Sequence, residues 1–262
     1  MPILIGVYTF APYFRTWVGG SVMGYSRALQ PVPPLSADTL TGEMVAIGMS
    51  FAAPVAKAEP NIEDTLLFAS IEAMERDDLR VLAILVTWVG VHAPWVNVDR
   101  LTKIVASQSS IRVRALWAAL ATWQAQDRRY ARMAKGYQKP QLELLATGNA
   151  FQIKRRGEDE RFSGSPLMVP ANVLRNRVTD VLSPEVLARQ HRGYRHRVMM
   201  GPSYRADMWA ALDGDPTLSA AQLARRTYGS FATAWHTRRD YGIVRSAADC
   251  AGRARSPHAG DP

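Results

Sequence analysis

The chain has a single cysteine, Cys250, among its 262 residues. That excludes an intrachain disulfide and a cysteine-based zinc site, so a reducing cytoplasm is the expected setting. Long apolar runs are lacking as well: the most hydrophobic interior stretch, Val81 to Val91, is far shorter than the ~20 residues a membrane-spanning helix needs. Such a run predicts a helix buried on all sides, with no membrane partner. The apolar start, Met1 to Phe14, has no basic leading region and is broken by Pro2 and Pro12, which argues against a secretory signal.

Enzyme signatures are also missing. There is no GxxxxGKS/T, GxSxG or HExxH pattern, and Gly19-Gly20-Ser21-Val22-Met23-Gly24 has the wrong spacing and no lysine for a phosphate. The five histidines are scattered, and His191 and His196 stand among arginines, a poor setting for a cation. Glu158, Asp159, Glu160 and Asp180 are the only carboxylates that suggest a magnesium-dependent nuclease. Consecutive loop carboxylates ordinarily face solvent, so no catalytic residue, metal or cofactor is expected.

What the chain does have is positive charge, unevenly placed. Its formal net charge is +9, yet the first 126 residues carry nine Lys and Arg against ten Asp and Glu. The excess lies wholly in the remainder. A polyanionic partner suits this asymmetry, because each phosphate neutralised by Lys or Arg releases condensed counterions.

Residues 1–60 show no sustained period, with glycines at 19, 20 and 24 and prolines at 31, 33 and 34. They read as a poorly structured leader, or as an over-extended start with Met44 or Met49 as the true one. Order is expected from Asn61, whose side chain can cap a helix bearing Leu67, Ile71 and Met74 on one face. Further helices follow Asp77-Asp78, Asn97 and Ser109-Ser110, the last with Val113, Leu116, Trp117, Leu120 and Trp123 inward. Two strands, 141–146 and 151–156, joined by Thr147-Gly148-Asn149, predict a hairpin. The fold class expected is mainly α, with two small helix-turn-helix-like modules, the first carrying that hairpin as a wing. The first module spans 61–156, a basic connector with a short helix near Pro184 to Gln190 spans 157–202, the second module 203–245, and a disordered tail 246–262.

Ser219 to Tyr241 carries the strongest signal. Ser203 can cap one helix, Gly214-Asp215-Pro216 closes it, and Ser219 and Ser230 can cap two more around Gly229. Ser230, Thr233, His236 and Thr237 fall near the leading side of the last helix, with Arg238 and Arg239 one turn on. Hydroxyls and imidazoles can contact base edges or phosphates, and arginine can pair bidentately with guanine. In the first module the matching set is Gln108, Ser109, Arg112 and Arg114, with Lys154, Arg155 and Arg156 on the wing. The connector adds Arg192 and Arg195 in its densest basic run, 189–205, interleaved with Tyr194, Tyr204, His191 and His196.

From Tyr204 to Val244 the chain resembles the broad superfamily of bacterial helix-turn-helix and winged-helix transcription regulators. Ala224 and Gly229 stand five apart where those motifs usually space the small residue and the turn glycine by four, and Trp235 and Tyr241 replace aliphatic core residues. The resemblance implies double-stranded DNA as partner and a homodimer on paired half-sites, with Trp117, Trp123 or helix 62–76 as a self-association face. Two other readings stay open. One is an antitoxin-like protein-interaction module with secondary DNA binding; the other is an RNA-binding protein that stacks unpaired bases on the connector's aromatics.

Overall fold

The computed structural model describes the backbone of residues 30–254 and side chains through Ala247. Twelve α-helices follow one another in that span: α1 (Ala37–Ala46), α2 (Ile62–Glu75), α3 (Leu79–His92), α4 (Val98–Ala106), α5 (Ile111–Trp123), α6 (Ala131–Lys135), α7 (Asn149–Arg156), α8 (Pro184–Gln190), α9 (Arg192–Met200), α10 (Tyr204–Gly214), α11 (Ala220–Arg226) and α12 (Phe231–Ala254). Their starts are set locally. Asn61, Asp78, Asn97 and Ser110 each accept from a backbone N–H in the first turn of α2, α3, α4 and α5, at 3.0–3.4 Å. Each bond satisfies a donor that has no partner within the helix.

The main core gathers α1 to α5 with parts of α8 and α9. α3 is buried along Leu82 to Val89 because almost every position is apolar. α5 is buried from Ala115 through Ala121. The indoles lock neighbouring helices by polar handles: Trp117 Nε1 donates to Ser70 Oγ at 2.9 Å, and Trp88 Nε1 donates to the Ile47 carbonyl at 2.7 Å. Buried indoles with satisfied N–H groups add contact area without a desolvation penalty.

Several expectations fail here. Residues 37–49 are not part of an unstructured leader: Ser36 caps α1, and Leu40, Met44, Ile47 and Met49 are in the core. The reason is tertiary, since α1 packs on α2 and its end receives the Trp88 bond. Residues 1–29 lie outside the described residues, so the leader reading there is not addressed.

The wing is not formed. Residues 149–156 are helical, started by Gly148 at φ 78, and Asn149 is buried with its amide bonded to Leu145 O and Glu143. The strand β1 (Leu142–Glu143) pairs instead in parallel with β2 (Leu167–Met168), far along the chain. In the connector the helix expected near 184–190 forms as α8, and α9 follows it where no helix was expected. The last helix does not end at Tyr241, for α12 continues to Ala254; the rest of the expected tail, 255–262, lies outside the described residues. Trp117 is buried and α2 is a core helix, so neither supplies the self-association face. Among the described residues no helix is long and apolar enough to cross a membrane.

Candidate nucleic-acid interface

Helices α10, α11 and α12 form a three-helix unit around a small core of their own, with Met208, Leu212, Leu218, Ala220, Leu223, Ala234 and Tyr241. Caps again set the starts. Ser203 Oγ accepts from Ala206 N at 3.3 Å, and Ser230 Oγ from Thr233 N at 3.0 Å. Ser219 and Gln222 make a reciprocal capping box, each side chain accepting from the other's backbone N–H. Ala234, Thr237 and Tyr241 recur at helical spacing on the inner face of α12.

The turn from α11 to α12 differs from the sequence expectation. Tyr228, not Gly229, takes the left-handed conformation, at φ 57. Gly229 is needed for another reason: a Cβ there would run into the Met208 methyl of α10. Tyr228 also fastens the turn to the main core. Its hydroxyl donates to Asp64 Oδ2 at 2.7 Å, and the Arg100 guanidinium stacks 3.5 Å from its ring centroid while also donating to Asp64. Burial and the neighbouring Asp64 carboxylate push the Tyr228 hydroxyl up to about 12. Burial raises Asp64 too, in spite of Arg100.

A second fastening joins α9, α2 and α10. Arg197 donates to both Glu63 oxygens and to both Asp207 oxygens, at 2.6–3.0 Å. Burial disfavours the guanidinium charge, but the two carboxylates outweigh it and raise its pKa. Neither cluster is visible in the sequence, because Glu63, Asp64, Arg100, Arg197 and Tyr228 share no spacing and meet only in the folded chain.

The predicted contact residues scatter when placed on this frame. On α12, His236, Arg238 and Arg239 are exposed. Thr237 is wholly buried with its hydroxyl unbonded, and it cannot reach a groove. Ser230 and Thr233 are part-buried and spent on the helix cap, their hydroxyls 2.6 Å apart. Arg238 has no carboxylate partner among the described residues; Arg239 pairs with Asp240 at 2.9 Å and lies 5.8 Å from the Trp235 ring centroid. Arg205 shares Asp240 at 3.0 Å, and the two arginines hold that carboxyl below its usual range. A shallow trough of about 540 Å³ runs along this face, bordered by Pro216, Trp235, Arg238, Arg239, Tyr241 and Arg245. Arg225 and Arg226 of α11 are exposed as well.

The first module does not assemble as expected. α5 is a core helix, not a reading helix. Arg112 donates to Met74 O, Asp77 and Leu144 O, which ties three segments together. Arg114 is half-buried with its Nε unbonded, Gln108 donates to Ile104 O, and Ser109 is exposed. Arg129 likewise donates to Pro94 O at 3.0 Å. Lys154, Arg155 and Arg156 are exposed, on the end of α7 and not on a wing.

In the connector Arg195 is exposed, whereas Arg192 pairs with Glu59. Tyr194, His191 and His196 are buried, so they offer no platform for stacked bases. Asp159 and Asp180 are paired with Arg161 and Arg177, and no cluster of three His, Cys, Asp or Glu suited to a metal ion occurs among the described residues.

Compared with protein-family models, with curated proteins and with solved structures, the chain finds no match.

Proposed function

We propose that the protein is a DNA-binding transcriptional regulator that grips duplex DNA with the α10–α12 unit. The observation that carries the reading is the outer face of α12, which holds Arg238, without a carboxylate partner among the described residues, beside Arg239, His236 and the trough, while its inner face is packed. A helix presented this way fits a major groove about 12 Å wide. Arg225 and Arg226 extend the positive surface onto α11. Affinity on this reading is mainly electrostatic, with base contacts limited to α12.

The test is Arg238→Ala with Arg239→Ala, titrated against mixed genomic duplex fragments over a range of salt. The double variant should bind more weakly and with a shallower salt dependence, by about one unit of slope per lost phosphate contact. A folded double variant with unchanged affinity and slope removes α12 from the interface.

One observation favours a second reading. Phe231 and Trp235 are 57% and 50% exposed on the same helix, and exposed aromatics of this kind suit a protein partner. An antitoxin-like role would use them, and Phe231→Ala, which lies outside the trough, would then lose a co-purifying protein while keeping DNA.

A further inference from the structure

A cavity of about 490 Å³ opens at the end of α1, against the loop through Lys57, residues 179–182 and the start of α9. Its volume lies in the range of about 300–1,000 Å³ typical of small-molecule sites. Much of the lining is apolar, with Val45, Met49, Phe51, Val55 and Leu182. The rest is polar, with Ser50, Thr179 and Gln190 beside the ionisable Lys57, Glu59, Asp180, His191 and Arg192, and the pairing of the charged groups decides what can enter.

Asp180 is neutralised by Arg177 at 3.1 Å. Glu59 accepts from Gly193 N at 2.8 Å and Arg192 Nε at 3.0 Å, and lies 2.7 Å from His191 Nδ1. Burial alone would raise the Glu59 carboxyl, but the hydrogen bonds and charge of these neighbours outweigh it and hold it at about 2. It is an ionised, saturated carboxylate. Lys57, by contrast, is exposed and has no carboxylate partner among the described residues. A part-apolar cavity whose one ammonium lacks a carboxylate partner among the described residues selects an apolar body with a single negative head.

We infer that this cavity binds a small amphipathic monoanion, an aliphatic chain whose carboxylate head pairs with Lys57. The opposite wall, formed by Glu59, His191 and Arg192, touches the three-helix unit. Glu59, His191 and Arg192 also line a smaller cleft of about 100 Å³ that reaches Asp207, Arg226 and Thr227, and the Arg192 guanidinium packs on Gly214 at the end of α10. The site stands independently of DNA binding.

Calorimetric titration of the full chain with octanoate, octan-1-ol and octylamine tests it. Octanoate should bind, octanol more weakly, and octylamine not at all. Lys57→Gln, at an exposed position, should weaken octanoate about fivefold and leave octanol unchanged, the scale of one partly exposed ion pair. Ala46→Phe, which fills the cavity from its wall, should abolish both. Absence of octanoate binding, equal binding of octanoate and octylamine, or full octanoate affinity in Lys57→Gln overturns the proposal.

Discussion

Arg197 in α9 donates to both carboxylate oxygens of Glu63 in α2, at 2.6 and 2.9 Å, across 134 positions of sequence. Both side chains are essentially inaccessible. The pair welds the α10–α12 unit to the main core, because the same guanidinium also holds Asp207 of α10. Removing it leaves two buried carboxylates facing each other. Arg197→Met should therefore cost about 3–5 kcal/mol, and adding Glu63→Gln and Asp207→Asn should recover part of that loss. Urea unfolding of the single and triple variants is the check; a single variant as stable as wild type would contradict the weld.

His92 sets a pH dependence. Its Nε2–H donates to the Leu182 carbonyl at 3.0 Å, and the Tyr194 hydroxyl donates to Nδ1 at 2.7 Å. Burial lowers its pKa from 6.5 to about 4, so the folded chain refuses a proton that the unfolded chain accepts. The associated stability is present above pH 6.5 and is lost as pH falls toward 4, to a total of about 3 kcal/mol. Asp64 and Asp207, raised by burial, act in the opposite direction. The readout is therefore the difference between wild type and His92→Phe in urea midpoints, which should shrink as pH falls from about 7 to 4. A pH-independent difference would show that His92 is not buried neutral.

Leu40 tests whether α1 belongs to the folded core. It is buried, and α1 ends beside the Trp88–Ile47 bond. Leu40→Ala should cost about 2–5 kcal/mol, the loss of a buried methyl cluster plus the void left behind. A chain begun at Met44 should unfold at lower urea than the full chain by at least as much. Equal midpoints would return residues 37–46 to the status of a dispensable leader.

Gly229 and Tyr228 divide the work of the α11–α12 turn. Gly229→Ala should destabilise by about 1–3 kcal/mol, because the new methyl displaces the Met208 side chain. Tyr228→Phe should cost about 1–3 kcal/mol by leaving the Asp64 carboxylate without its hydroxyl partner. The two losses should not simply add, since the residues are neighbours in one turn and a backbone shift at Gly229 moves the Tyr228 hydroxyl away from Asp64; thermal melts of the single and double variants measure the coupling.

What the sequence by itself determined were features decided within a few residues. Asn61, Asp78, Asn97, Ser110, Ser203, Ser219 and Ser230 cap helices because a short polar side chain reaches N–H groups two or three positions on, and the apolar stripes behind them follow from the helical period. Tertiary structure decided the rest. A weak strand such as 142–143 takes whichever partner the fold brings to it, so its pairing with 167–168 overrode the local hairpin signal of Gly148-Asn149. The arginines were divided in the same way. Arg112, Arg129 and Arg197 look like Arg195 and Arg238 in sequence, but the first three find carbonyls and carboxylates more than thirty positions away, at distances only the folded chain creates. Which cations remain on the surface is thus settled by what the core consumes.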